Sequence, residues 1–198
     1  MNGSPVTRPS LLLRIRNPRD EQAWAQFVEL YAPLVHRYGR RYGLQEADAA
    51  DLAQEVLQIV ISSASHFEYD PHRGKFRGWL LTVTRNKLRR LWASEARRPR
   101  ATGDTNVRGL IEQQPDPDAD EDAWNREYQR RLLSLAAERT RNSFTESTWL
   151  AFWWTTREGK PPRAVAEELG ISIGAVYIAK SRVLSRLREV VRQLDDEP

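Results

Sequence analysis

The sequence predicts an all-α protein in which two small helical domains are joined by an acidic flexible linker. Apolar residues recur at three- and four-residue steps in both halves of the 198-residue chain, which is the period of an amphipathic helix. No alternating apolar and polar stretch is flanked by an Asn-Gly or Asp-Gly turn, so strands are not expected. Residues 101–123 hold seven acidic residues, two glycines and two prolines, and such a segment cannot bury a core.

The composition of this acidic segment divides the chain. We expect a flexible N-terminus at residues 1–19, a first domain at 20–98, the linker at 99–123 and a second domain at 124–194. Each domain is small, but each is within the size range of domains that fold alone.

The composition also excludes several classes of protein. The chain has no cysteine, which removes disulfide frameworks, thiolate zinc sites and thiol nucleophiles. No apolar run approaches the roughly 20 residues of a membrane helix, and the polar, proline-containing N-terminus is not a signal peptide. These observations predict a cytoplasmic protein with no membrane insertion.

Three helices are expected in the first domain, each with one apolar face. Their apolar residues run from Trp24 to Tyr38, from Leu52 to Ile59 and from Phe76 to Leu91. In the first helix Pro33 predicts a kink or break, because proline lacks the amide hydrogen that an interior helical residue donates.

Polar side chains share another face of the second helix. They are Asp51, Gln54, Glu55 and Gln58. Asp51, Glu55 and Gln58 lie at i, i+4 and i+7, so they align along one side of the helix. The pattern fits either a solvated helix face or an acidic ridge to which a protein partner docks, and spacing alone does not decide between them.

A basic segment follows this helix. Residues 73–100 hold ten basic residues and one acidic residue, a net charge of +9, whereas the whole chain carries +4. The aromatic residues interleaved with them are Phe76, Trp79 and Trp92, of which we expect the first two to be core. Arg85, Arg89 and Trp92 fall on one stripe, which is typical of surfaces that stack bases and track phosphates. The polar and aromatic loop at 65–75 has the composition to receive an extruded base.

The second domain contains the pattern of a helix-turn-helix. A short helix over 163–169 ends at Gly170, which permits the left-handed turn, and Ser172 can cap a second helix. An earlier helix over 145–157 is predicted to open with a capping box at Ser143.

A mixed set of residues points outward from the second of these helices, with basic side chains flanking it. Near its start they would meet base edges in the major groove, and the flanking bases would neutralise phosphates. The candidate DNA contacts are Ser172, Gly174, Tyr177, Ile178, Lys180, Ser181, Arg182 and Arg186.

No enzyme active site, metal site or cofactor is expected, because the chain has no phosphate-binding glycine loop and its histidines lack ligand spacing. A calcium loop starting at Asp116 would need glycine where Glu121 stands. A free-standing helix-turn-helix regulator of operator DNA would explain the second domain but gives no role to residues 48–60 and 67–92. A protein-interaction adaptor leaves the basic segment unexplained.

Three motifs, in this order and at this separation, resemble bacterial RNA polymerase sigma factors of the sigma-70 family, extracytoplasmic-function (ECF) type. They are DAADLAQEV, then GKFRGWLLTVTRN, then VAEELGISIGAV followed by SRVLSRLRE. The resemblance covers roughly residues 20–98 and 124–193. It implies a sigma-2-like bundle, a sigma-4-like helix-turn-helix domain and no catalysis.

The resemblance also implies partners and residue roles. Asp51, Gln54, Glu55 and Gln58 match the segment that docks on the clamp helices of the largest subunit of core RNA polymerase. Residues 65–92 match the segment that opens the promoter minus-10 element as single strands, and 172–188 match the helix that reads the duplex minus-35 element. The implied minus-10 contacts are Arg73, Lys75, Arg77, Arg85, Asn86, Arg89 and Trp92. An anti-sigma protein is a further candidate partner, which no sequence signature distinguishes from phosphorylation or control of expression.

Overall fold

The computed structural model describes residues 11–64, 76–97 and 117–195, and all regular structure within them is helical. The helices are α1 (Leu11–Arg14), α2 (Glu21–Arg41), α3 (Glu46–Ala64), α4 (Phe76–Arg97), α5 (Pro117–Arg141), α6 (Glu146–Thr156), α7 (Pro162–Leu169) and α8 (Ile173–Leu194). The prediction of an all-α protein is therefore confirmed. The chain divides into two compact units, one ending at Arg131 and the other beginning at Leu132. No helix in the described ranges combines the length and apolarity needed to cross a bilayer.

The N-terminal segment is structured from residue 11, which differs from the flexible N-terminus expected over 1–19. Three side chains of this segment are buried in the first unit: Leu11, Leu12 and Ile15. Arg14 donates two hydrogen bonds of 2.9 Å to the carboxylate of Asp20. That carboxylate also accepts from the amide of Ala23 and so caps α2. The Arg14 bond and the amide bond together hold the pKa of Asp20 below its usual value.

Helix α2 continues through Pro33 without a break. Because proline has no amide hydrogen, the carbonyl of Glu29 one turn earlier loses its helical donor. Arg131 replaces that donor, since its Nε and Nη2 donate to the Glu29 carbonyl at 3.1 and 3.0 Å. Of the predicted kink or break, the break does not occur, and a side chain from α5 donates to the carbonyl that loses its helical donor.

Helices α2, α3 and α4 enclose an aromatic core in the first unit. The ring of Phe76 meets those of Phe27 and Tyr31 edge to face, with centroids 5.8 and 5.4 Å apart, the arrangement that the aromatic quadrupole favours. The predicted apolar face of α3 is buried at Leu52 and Val56. At the closest approach of α2 and α3 a methyl group on Gly39 would come within 3.1 Å of Leu52.

Helix α5 begins inside the segment predicted to be a flexible linker. Residues 117–123 are helical, and the side chain of Asp120 is fully buried within the first unit. Trp124 and Tyr128 follow Asp120 at one-turn steps and are buried as well. Acidic composition therefore does not identify linker here, because one of the seven acids is an interior hydrogen-bonding group. The remainder of the predicted linker, 99–116, lies outside the described residues.

The second unit comprises the end of α5 and helices α6 to α8. Gly170 adopts φ 65° at the end of α7, and the Ser172 hydroxyl accepts from the amide of Ala175 to cap α8, as predicted. The core of this helix-turn-helix is formed by Ala151, Val165, Ala166, Val176 and Ala179. Helix α6 is capped by Thr145, which accepts from the amide of Thr148, rather than by the predicted Ser143.

Candidate nucleic-acid interface

The polar face of α3 is solvent-exposed in the first unit. Asp51, Gln54 and Gln58 are all exposed. Glu55 differs from them, because Nζ of Lys87 on α4 donates to its carboxylate at 2.9 Å. We call Asp51, Gln54 and Gln58 the α3 ridge; Glu55 instead joins α3 to the basic helix α4.

Helix α4 carries the described part of the basic segment, and its predicted DNA contacts fall into two groups. Asn86 and Arg89 are exposed. Arg85 and Trp92 point toward other helices of the unit, and the predicted contacts Arg73 and Lys75 lie outside the described residues. The structure therefore does not bring Arg85, Arg89 and Trp92 together as one exposed stripe.

Trp92 is an interior residue. Its side chain is only 7% exposed, and its ring meets that of Tyr42 edge to face with centroids 6.2 Å apart. In this arrangement its face is not available to a base. Arg90, which is not among the predicted contacts, is exposed one residue after Arg89 and one turn after Asn86. That i, i+4 spacing from Asn86 was the available signal, and we call Asn86, Arg89 and Arg90 the α4 polar face.

Arg77 is also directed toward the interior. Its guanidinium lies 4.2 Å from the centroid of the Tyr128 ring, within the range of a cation–π contact. The Nε and Nη1 atoms of Arg77 are buried. A residue predicted to contact DNA thus packs against α5 in the first unit.

Arg85 belongs to a buried polar cluster centred on Asp120. The Asp120 carboxylate accepts from the hydroxyl of Tyr38 at 2.8 Å, the hydroxyl of Tyr42 at 2.6 Å and Nε of Arg85 at 2.7 Å. A buried carboxylate needs such donors, because they replace the water that it loses. We call these four residues the Asp120 cluster.

The cluster changes the acid–base behaviour of its members. Burial, followed by the hydrogen bond to Asp120, raises the pKa of Tyr38 above its ordinary range. The same two causes raise the pKa of Tyr42 to about 12. Burial alone would lower the pKa of Arg85, but its hydrogen bonds to Asp120 and Tyr38 outweigh that effect and raise it. All three donors therefore hold their protons at neutral pH and keep the carboxylate satisfied.

The Asp120 cluster was not predicted because its members are far apart in sequence; Arg85 and Asp120 are separated by 35 residues. One signal was present. Asp120, Trp124 and Tyr128 recur at four-residue steps, which is a helical face. Helix α5 begins at Pro117, so residues 117–127 of the candidate calcium loop are helical.

In the second unit the start of α8 is a mixed apolar and basic surface. Exposed fractions are 57% for Tyr177, 55% for Ile178 and 44% for Ile173, and the last of these was not predicted. The other predicted contacts on the open side are Ser172, Gly174, Ser181 and Arg182, all exposed. Lys180 is half-buried, and Nη1 of Arg186 is 2.9 Å from the carboxylate of Glu189.

Comparisons with known proteins include a family model that matches within the first unit. The model of the family "Sigma-70 region 2" matches residues 27–98, which include α3 and α4. The ECF RNA polymerase sigma factor RpoE of Cereibacter sphaeroides is 33% identical over 78 residues, which are 39% of this chain and 42% of that protein. The matched segment thus spans less than half of that relative.

A solved structure, that of CnrH in complex with the cytosolic domain of CnrY, covers 92% of this chain and 95% of its own, with 19% identity and a TM-score of 0.34. Residues 27–98 of this chain are similar to Sigma-70 region 2, and part of the chain is similar to an ECF RNA polymerase sigma factor.

Proposed function

We propose that the protein is a dissociable subunit of bacterial RNA polymerase that directs promoter recognition and DNA opening and has no catalysis of its own. One observation carries the proposal: the segment matched by the family model, 27–98, presents the α3 ridge and the α4 polar face, both exposed to solvent. A protein with this role would work in the cytoplasm, with core polymerase and promoter DNA as partners. An anti-sigma partner stays a prediction.

The α3 ridge is the proposed polymerase contact. Its three exposed side chains offer one carboxylate and two amides on a helix whose opposite face is fixed by burial of Leu52 and Val56. A rigid helix presents these groups without further ordering, which favours docking of a complementary surface. Glu55 supports the ridge indirectly, because its ion pair with Lys87 holds α3 against α4.

The α4 polar face is the proposed contact for the minus-10 element. Arg89 and Arg90 can each neutralise a phosphate, and the amide of Asn86 can both donate to and accept from a base. Opening of the duplex would be favoured because extruded bases gain contacts that stacked bases cannot reach. The predicted contributions of Arg73 and Lys75 stay part of this proposal.

The start of α8 is the proposed reader of the minus-35 duplex. A helix that follows a tight turn can enter the major groove with its first residues. The exposed Ile178 and Tyr177 would contact apolar groups such as thymine methyls, while Arg182 would neutralise a phosphate. The remaining predicted contacts, Ser172, Gly174, Lys180, Ser181 and Arg186, flank these residues.

Run-off transcription with purified core polymerase on promoter DNA tests the proposal. Added protein should produce transcripts that start at discrete positions. If initiation is unchanged while the protein alone binds a palindromic duplex, the operator-binding regulator is the correct function instead.

A paired set of variants tests the α3 ridge. Asp51→Arg combined with Gln54→Ala should abolish co-purification with core polymerase, because a positive side chain replaces the carboxylate at the centre of the contact. Asp122→Arg combined with Gln129→Ala makes the same chemical changes at two exposed positions of α5 and should leave co-purification intact. Equal binding by both variants would remove the ridge from the proposed contact, and circular dichroism checks that both remain helical.

A further inference from the structure

A basic cleft lies between α2 and α5 within the first unit. Its volume is about 350 Å³. Two arginines from each helix line it: Arg37 and Arg41 from α2, and Arg126 and Arg130 from α5. All four are exposed, and none of them is among the predicted docking or DNA-contacting residues.

The charge of the cleft is unbalanced. Among its lining residues Glu127 is the sole acid, so four guanidinium groups face one carboxylate and the net charge is +3. Glu127 is shared by two of them, because it forms ion pairs with Arg37 and, at 3.3 Å, with Arg130. One carboxylate cannot neutralise four cations, and the cleft therefore attracts anions.

The hydrogen-bonding groups of the cleft are mostly donors. Guanidinium groups donate and cannot accept. The hydroxyl of Tyr38 already donates to Asp120. A ligand that complements this lining must supply several negatively charged acceptor oxygens.

We propose that the cleft binds a phosphate-bearing anion held by Arg37, Arg41, Arg126 and Arg130. The planar guanidinium fork matches phosphate oxygens two at a time, and the volume admits a group of several phosphates. The phosphates could belong to a free polyphosphate compound or to a nucleic-acid backbone. Because the arginines come from two helices, binding would hold α5 against α2 and stabilise the first unit.

Calorimetric titration with two probes, inorganic triphosphate and single-stranded oligothymidylate, tests the proposal. Arg126→Ala combined with Arg130→Ala should weaken binding by about tenfold or more. Arg157→Ala combined with Arg163→Ala removes the same charge from exposed positions in the second unit and should retain wild-type affinity. The single variant Arg126→Lys keeps the charge but loses the fork, so an intermediate affinity is expected.

The outcomes separate the two sources of phosphate. If Arg126→Ala combined with Arg130→Ala weakens only triphosphate binding, the ligand is a free polyphosphate compound. If the same variant weakens only oligothymidylate binding, the ligand is a nucleic-acid backbone. Absence of binding to either probe at millimolar concentration would overturn the proposal. An equal loss in the control pair would overturn it as well, since binding would then follow net charge rather than the cleft. Transcription is not part of the measurement, and triphosphate is not a ligand of the proposed DNA contacts, so the triphosphate result is independent of the proposed sigma-factor role.

Discussion

Replacing Asp120 with alanine removes the acceptor shared by three donors and tests whether α5 is an integral part of the first unit. A hydrogen bond to a charged group contributes about 1.5–3 kcal/mol, and such contributions do not simply add. Removing one partner of a buried ion pair costs about 3–5 kcal/mol. The side chain of Asp120 is fully buried, whereas that of Arg85 is 23% exposed and can be reached by water. We therefore expect a loss near the lower end, about 3 kcal/mol.

Urea denaturation followed by circular dichroism measures this loss. With a slope of about 1–3 kcal/mol per molar, the midpoint should fall by about 1–3 M. Hydrogen exchange then locates the effect: amides of α2, α4 and the first part of α5 should lose protection, and those of α7 and α8 should not.

Asp122→Ala is the matched control, because Asp122 is the same residue type two positions away and is exposed. It should change stability by no more than about 0.5 kcal/mol. If the two variants have the same stability, the cluster does not hold α5 in place and the reasoning from its geometry is refuted.

Three further perturbations test other features of the fold. Arg131→Ala leaves the Glu29 carbonyl without its two donated hydrogen bonds and should lower the free energy of unfolding by about 1–2 kcal/mol, measured in urea; no change would mean that water replaces the arginine. Gly170→Ala places a side chain at φ 65° where no atom lies within 4 Å, so backbone strain alone should destabilise the second unit by about 1–2 kcal/mol in thermal melts. Because the pKa of Tyr42 is raised from 10.0 to about 12, the folded state favours the protonated phenol, and its stability contribution should be lost as pH rises from about 10 to about 12. Across that range the melting temperature should fall less with rising pH for Tyr42→Phe than for the wild type. Equal falls in the two proteins would contradict the assignment.

Local sequence patterns predicted most of the helices because the period of apolar residues depends only on nearby positions. The left-handed Gly170, the cap at Ser172 and the apolar face of α3 all lie where spacing placed them. Each of these features is determined by a few consecutive residues, so a single sequence contains the information.

The features that the sequence does not place share a different cause. Spacing puts Arg85 and Trp92 on one stripe and composition puts Asp120 in a linker, but the environments of all three depend on residues far away in sequence. A basic residue in a basic segment can still pair inward when a distant carboxylate meets it. Likewise, Pro33 predicts a break only if no other group replaces its missing donor, and Arg131 lies 102 residues from Glu29.

The contact between Arg131 and the Glu29 carbonyl also constrains the register of α5 on α2. Interior carbonyls of a helix are occupied by the amides four residues later, so a guanidinium sliding along α2 finds no comparable acceptor one turn away. Pro33 removes the helical donor of one carbonyl, that of Glu29, and Arg131 donates to that carbonyl. A displacement of about 5.4 Å along α2, one helical turn, would break both hydrogen bonds without offering replacements. The proline therefore adds a constraint on the axial position of α5 to the one that the Asp120 cluster already supplies.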